Sequence, residues 1–437
     1  MTRFKALAVM VGVVVAGLAP VSAHADTSAS TWVVDRDGLE CGNADFTSIQ
    51  AAVDAAQPGD VIRVCPDLYA ETVIVDKTLT LTGDTDAVEA VDCFQPTPSQ
   101  PGDADPARHV IVDPAGDGFT IAVRLQADDI VLAGFVVQGA WVGIDASDHF
   151  SGYGVHHNLI RLNSLFGVDF GSDGTRQSRV DHNCIRENRF GLVSELDDDS
   201  LWKSSDGPER DAWNARDLIN ARINYNSTRD NSGGGLEAAG PGRRVQVTID
   251  HNVSRDAILL QNSTDSAVVH NELVDTPGNA IIVGGGNDRL LIGANRVDGA
   301  GGRGIFFVET FIDRFPIPSR NVVVTHNDVR NAQAGIVPGQ GNLADSLIAE
   351  NTTSENRVNG IALFGGNTGN VVRGNHADNN GVNGIIALLG ATGNRFEQNS
   401  MHGNTGFDAR DLNPLGSNVW INNDCEHDSP DGICGIG

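Results

Sequence analysis

The chain has few fixed cations. Lys and Arg total 30 against 57 Asp and Glu, a formal charge of −27 over 437 residues. Phosphate binding needs a basic surface, so duplex or single-stranded nucleic acid is excluded as a partner. An anionic membrane surface is excluded for the same reason. Aromatic residues make up only 5% of the chain, so large rings do not build its core. After the first residues no apolar run is long enough to span a bilayer. The six cysteines include no C-x-x-C pair, which argues against a structural zinc site. Asparagine is nearly absent from the first third, where Asn43 alone precedes residue 158.

What is present is glycine, 51 residues of it, and hydrophobic residues at 40%. That apolar fraction is too high for a disordered chain. Residues 1–25 read as an export signal. Arg3 and Lys5 give a positive start, an apolar run follows from Ala6 to Ala19, and Ala23-His24-Ala25 is a cleavage pattern. The expected product, residues 26–437, is secreted, extracellular and exposed to oxidising conditions. An even cysteine count then reads as disulfides. Spacing favours Cys41 with Cys65 and Cys425 with Cys434, and Cys93 with Cys184 follows by elimination.

The C-terminal half repeats every 24 residues: Asn327, Asn351, Asn375, Asn399 and Asn423. The unit recurs upstream at looser spacing, at Asn158, Asn183, Asn226, Asn252, Asn271 and Asn295. A second series lies five residues earlier (Asn370, Asn394, Asn418). A third lies five later (Asn163, Asn188, Asn231, Asn356, Asn380, Asn404). Three residues before each anchor Asn stands an apolar residue, from Val155 to Trp420, and Gly followed by an aliphatic recurs, as in Gly335-Ile336 and Gly360-Ile361. Short Val- and Ile-rich segments between such corners are strand and turn chemistry. No 3.6-residue apolar stripe crosses the region. One coil cannot bury its apolar face alone, but stacked coils bury a continuous column. Asn suits the corners because it tolerates left-handed backbone angles and because its amide can bond the Asn of the next coil.

This pattern resembles the right-handed parallel β-helix proteins of the pectate-lyase-like superfamily over roughly residues 46–424. The resemblance implies an all-β, right-handed parallel β-helix, a solenoid of one domain spanning 26–437, with a short N-terminal α-helix cap. That cap is expected within 41–58, where Phe46, Ile49, Val53 and Ala56 share a helical face and Thr47-x-x-Gln50 reads as a capping box. The segment from Phe46 to Gly83 is similar to the opening segment of many exported β-helix proteins, pectin methylesterases included. A disulfide-closed lid is expected at 424–437, and a Pro- and Asp-rich loop at 84–108. The motif sets of pectin methylesterases, polygalacturonases and pectate lyases are missing, so the resemblance assigns no catalytic residue.

Two insertions, near 194–222 and 307–320, interrupt the register. Both follow the strand after a Gly, so they should leave one edge of the stack, four coils or roughly 19 Å apart at ~4.8 Å per coil. The first carries Asp197, Asp198, Asp199, Trp202, Arg210 and Trp213; the second carries Glu309 and Asp313. Rings beside carboxylates suit sugar binding. The expectation is an extracellular polysaccharide as partner, with Trp202, Trp213 and Arg210 as substrate contacts. Asp197, Asp198, Asp199, Glu309 and Asp313 are the candidates for catalysis if the chain turns substrate over as a lyase, glycoside hydrolase or epimerase. The Asp run also offers oxygen ligands to Ca²⁺. The competing reading is a non-catalytic surface or structural protein. In either case the chain is expected to act as a monomer.

A histidine precedes the anchor Asn in five coils (His157, His182, His251, His270, His326), with Tyr225 among them. His182, His251 and His270 are the candidates for a metal stripe, as in the copper-accessory β-helix proteins. The structural alternative is that these residues fit a corner and stack on one another.

Overall fold

A computed structural model of the chain describes residues 29–89, 91, 93–94, 104–114, 118–194, 216–239, 242–309 and 317–435. Three long parallel sheets run through it. Most coils contribute a short strand to each sheet in chain order, as Val323–Thr325, Asp328–Arg330 and Ala334–Pro338 do. Each strand pairs in register with its counterpart one coil away: Val324 opposes Ile292 on one side and Ile348 on the other. Successive side chains of a strand point to opposite faces, so one column per sheet looks inward. In the first sheet that column is the predicted series Val155, Val180, Ile223, Ile249, Val268, Ile292, Val324, Ile348, Val372 and Phe396, all fully buried. The third sheet adds Ile144, Val168, Leu192, Leu236, Ile258, Ile281, Ile305, Ile336, Ile361 and Ile385. Small and branched side chains suffice because the cavity of each coil is narrow.

The anchor asparagines form one unbroken ladder from Asn158 to Asn423. At each rung the Oδ1 of one Asn accepts both the backbone N–H and the Nδ2–H of the Asn one coil before it. Asn351 and Asn375 do so at 3.0 and 2.9 Å. The second Nδ2 hydrogen reaches a backbone carbonyl, Val324 O for Asn351, at 2.9 Å. The ladder does not notice the insertions: Asn183 and Asn226, 43 residues apart, meet at 3.0 Å. The other two series form shorter ladders, such as Asn356–Asn380–Asn404 and Asn370–Asn394–Asn418.

One expectation about these asparagines needs correction. The left-handed backbone belongs to the residue before the ladder Asn, not to the Asn. His157, His182, Tyr225, His251, His270 and His326 all have φ between 54° and 56°. The Asn itself continues into the next strand, and its side chain supplies the bonding. Upstream of Asn158, glycines hold the corners, Gly134 at φ 81° and Gly139 at φ 74°. Coils therefore exist there without asparagine.

At the N-terminal end the helix is Ile49–Ala55, with Ile49, Ala52 and Val53 buried against the first coil. The expected capping box does not form. The helix starts one residue later than the box requires, on Ser48, whose hydroxyl accepts from Ala51 N–H at 3.3 Å. The free N–H groups of Ile49 and Gln50 go to the Glu71 carboxylate instead. Phe46 lies outside the helix, against Trp32. An unexpected strand, Thr31–Val34, pairs with Val61–Val64 and opens the first sheet. The stretch expected as a loop at 84–108 contains a short helix, Thr85–Glu89. Val88 and Cys93 of this stretch pack with Ile111, Val136, Leu159 and Cys184 on the outer face of the second sheet. Cysteines pair as 41–65, 93–184 and 425–434. The C-terminal lid is partly a last, short coil, since Asp424–Cys425 and Asp428–Ser429 still pair in parallel with the strands beneath.

Two stability predictions follow from the ladders. Asn351→Ala strips the acceptor from two buried donors of Asn327 and two donors from acceptors around it; chemical denaturation should show a loss of about 3 kcal/mol or more. A loss below ~1 kcal/mol would mean that the ladder is ornamental. The third series ends on an acid: Asn231 Nδ2 donates to Asp256 Oδ2 at 2.7 Å. Burial pushes the Asp256 carboxyl up to about 6, despite the hydrogen bonds from Asn231. The folded state thus binds this proton more tightly than the unfolded chain. Its contribution to stability is fullest below the ordinary carboxylate range and is lost as pH rises through about 6. Asp256→Asn should stabilise the fold at neutral pH by about 2 kcal/mol and flatten the stability profile between pH 4 and 6. An unchanged profile would refute the assignment.

Candidate functional site

The outer face of the third sheet carries a row of charged residues. Its strands repeat Gly, an inward aliphatic, then an outward residue. In two neighbouring coils that outward residue is an acid, Gly143-Ile144-Asp145 and Gly167-Val168-Asp169; Val193 follows in the next coil, and the acid returns in Gly235-Leu236-Glu237. Asp145 opposes Arg124 on one side and Asp169 on the other. Arg216 lies over the pair. Its Nη1 donates to Asp145 Oδ1 at 2.9 Å and to Ala146 O at 2.8 Å, and stands 3.6 Å from Asp169 Oδ1. Arg124 Nε approaches Asp145 Oδ2 at 3.8 Å. The side chains of Asp145, Asp169 and Arg216 are 3%, 2% and 1% exposed, so this network is a buried one. Breaking one partner of such a network strands a buried charge.

Alongside the ionic row runs an apolar one. Ile121, Val142, Phe166 and Val193 are buried outside the main core, with Trp141, Leu165 and Phe190 partly exposed against them. Phe119 meets Trp141 edge to face at 5.2 Å and is itself 69% exposed. Exposed and half-exposed rings therefore lie beside the buried ionic row. Further along the same face the outward residues are Leu259, Ile282 and Phe306, each half-buried.

The edge of this face is where both insertions leave. One departs after Phe190–Val193 and the other after Arg303–Phe307, and the pairing places those strands four coils apart. Between them the chain returns by short links, two residues from Leu260 to Ser263 and four from Val283 to Asp288. Arg244, fully buried, donates to Ser194 O at 2.6 Å and to the carbonyls of Ala239 and Gly242. The departing end of the first insertion is tied to the stack by Arg244 and its returning end by Arg216.

Of the residues singled out from sequence, Asp197, Asp198, Asp199, Trp202, Arg210, Trp213 and Asp313 lie outside the described residues, as does the export signal 1–25. Glu309 is exposed, two residues past the strand Arg303–Phe307. The histidines do form a column. The rings of His157, His182, Tyr225, His251 and His270 stack at centroid spacings of 4.9 to 5.1 Å. His182 and His251 place Nδ1 at 2.7 Å from Asp181 and Asp250. Burial works to raise the Asp250 carboxyl, but the hydrogen bonds from Arg222 and His251 outweigh it and hold it below the usual range. Stacking at a corner is thus the arrangement these residues adopt. No three donor atoms of the column converge within 4.8 Å among the described residues; the groups that do are Asp35, Asp37 and Glu40, and Asp35 with the disulfide-bonded Cys41 and Cys65.

Sequence reasoning missed Asp145, Asp169, Glu237, Arg216 and Trp141. The signal was available. The Gly-aliphatic step marks the third sheet, and the next residue is acidic only in the coils around the first insertion.

Residues 212–375 match the family model described as a right-handed β-helix region. No curated protein matches the chain. Among solved structures, the A-module of the mannuronan C-5 epimerase AlgE6 of Azotobacter vinelandii is 14% identical, with 87% of this chain and 94% of that chain covered and a TM-score of 0.45. The catalytic unit of a GH87 α-1,3-glucanase from Streptomyces thermodiastaticus is 16% identical, covering 91% and 68%, with a TM-score of 0.46. A DFA-IIIase from Arthrobacter chlorophenolicus is 16% identical, covering 86% and 95%, with a TM-score of 0.40. With its in-register parallel sheets and the repeat matched over residues 212–375, the chain has the right-handed parallel β-helix fold.

Proposed function

We propose that the chain binds an extracellular polysaccharide along the outer face of the third sheet. The observation that carries this reading is the partly exposed ring shelf of Phe119, Trp141 and Phe190, held beside the partly exposed Arg124. Sugars present apolar C–H faces that stack on rings and hydroxyls that bond polar groups beside them. The two insertions leave from the edge of that face and are rich in acid and aromatic residues in sequence, and loops on a rigid scaffold commonly carry function. The three disulfides agree with an oxidising, non-cytoplasmic setting.

Binding is favoured over turnover. Asp145 and Asp169 are buried and engaged with Arg216, so neither is poised to exchange a proton with a substrate. The acids of the insertions, Asp197, Asp198, Asp199, Glu309 and Asp313, remain the candidates if a lyase, hydrolase or epimerase activity is found.

The test is a glycan-binding panel, with and without Ca²⁺, read by affinity electrophoresis. Phe119→Ala with Trp141→Ala should weaken retention on a bound glycan about tenfold, a loss of ~1.4 kcal/mol, while far-UV circular dichroism stays unchanged. Retention by the double variant equal to that of the parent would remove the shelf from the binding surface.

A further inference from the structure

The outer face of the second sheet holds a row of like charges. Gln138, Arg161, Arg186 and Arg229 stand opposite one another in successive coils. The pairing of Thr228 with Ser254, continued by the bond from Arg255 N–H to Thr228 O, puts Arg255 next in line. Arg161, Arg186 and Arg229 are buried, and Arg255 is exposed. Glu187 and Asp230, on the adjoining corners, approach Arg186 and Arg229. Like charges directly opposite one another at ~4.8 Å nonetheless oppose the stacking of these coils.

The row is covered by the stretch that carries Cys93. Arg229 Nε donates to the Cys93 carbonyl, and the Arg255 guanidinium lies 5.8 Å from the centre of the Phe94 ring. Val88 and Cys93 pack beside the row, on Ile111, Val136, Leu159 and Cys184. Cys184 and Arg186 are the first and third residues of one strand, so both point outward. In sequence the stretch 84–108 carries six acids, Asp84, Asp86, Glu89, Asp92, Asp103 and Asp105, against Arg108 alone. An acidic segment is thus matched to a basic row.

Chain entropy does not favour the bridge found here. Cys93 and Cys184 are 91 residues apart, whereas Cys65 is only 28 from Cys93 and 24 from Cys41. Loop closure alone would favour Cys93 with Cys65 over Cys93 with Cys184 about sixfold. It would hardly distinguish Cys93 from Cys41 as the partner of Cys65. The arginine row, in contrast, exists only once the strands Leu159–Arg161, Cys184–Arg186 and Ser227–Arg229 have stacked in register. Before that its cations are scattered along the chain.

We propose that the arginine row guides oxidative folding. It draws the acidic stretch onto the second sheet and seats Cys93 on Cys184, so that this bridge closes only over coils already in register. Arg186 and Arg229, which flank the seat, select the partner. The step needs a disulfide oxidant, supplied outside the cytoplasm. The Cys93 thiolate attacks the oxidant, forming a mixed disulfide and releasing one of its sulfurs as a thiolate. The Cys184 thiolate then displaces the other. The two cysteine thiols lose two electrons and two protons, and the oxidant leaves as two thiols. The inference is independent of the glycan reading.

The experiment refolds the full exported chain, reduced and unfolded, with oxidised glutathione, and maps its bridges by mass spectrometry after alkylation of free thiols. In the parent, Cys93–Cys184 should dominate and should appear only with the β-sheet signal in circular dichroism. In concentrated urea Cys93–Cys65 should take its place. R186Q/R229Q should lower the ratio of Cys93–Cys184 to Cys93–Cys65 about tenfold or more. R373Q, which removes an exposed cation of the first sheet, should leave that ratio unchanged. Refolding the parent in about 1 M salt should lower the ratio as the double variant does, because screening then confines charge attraction to contact. If the double variant does not regain its sheet signal, R229Q alone and the salt series decide. A ratio indifferent to the variants and to salt, or a Cys93–Cys184 bridge that forms equally well in urea, would overturn the inference.

Discussion

The structure depends on one repeated bond, the amide of an asparagine accepting two hydrogens from its counterpart a coil away. Without it, each corner would leave backbone groups buried and unbonded between sheets. With it, every coil from Asn158 onward is placed by the one before, and the apolar columns follow. The bond also explains why the chain can be so poor in aromatics. Position in the core is set by the polar ladder at the corner, so branched aliphatics need only fill a narrow space.

Much of this was legible in the residues. The 24-residue spacing of Asn327 to Asn423 fixed the repeat, and the apolar residue three places before each anchor fixed the first sheet. Two features hid the rest. Before Asn158 the corners belong to Gly134 and Gly139, which reach the left-handed region without any side chain, so the coils there carry no asparagine signature. The role of the corner was also shared between two residues. His182 holds the strained backbone and Asn183 the bond, a division that spacing alone does not separate.

The candidate face was half legible. Both insertions were visible as breaks in the period, and their common edge followed from the Gly-aliphatic step. The ionic row was not seen, because Asp145 and Asp169 are ordinary in an acidic chain until register sets them side by side. Arg216, some 70 residues from Asp145, closes the network only in three dimensions. Local sequence holds no trace of such a contact.

The bridge between Cys41 and Cys65 joins the opening coil to the next, and that between Cys425 and Cys434 staples the closing one. A pile of identical layers is weakest at its first and last, where a layer has one neighbour instead of two. Cross-links at those two places convert gradual peeling into an all-or-nothing event. A reducing agent would therefore do more harm to the first and last layers than its few targets suggest.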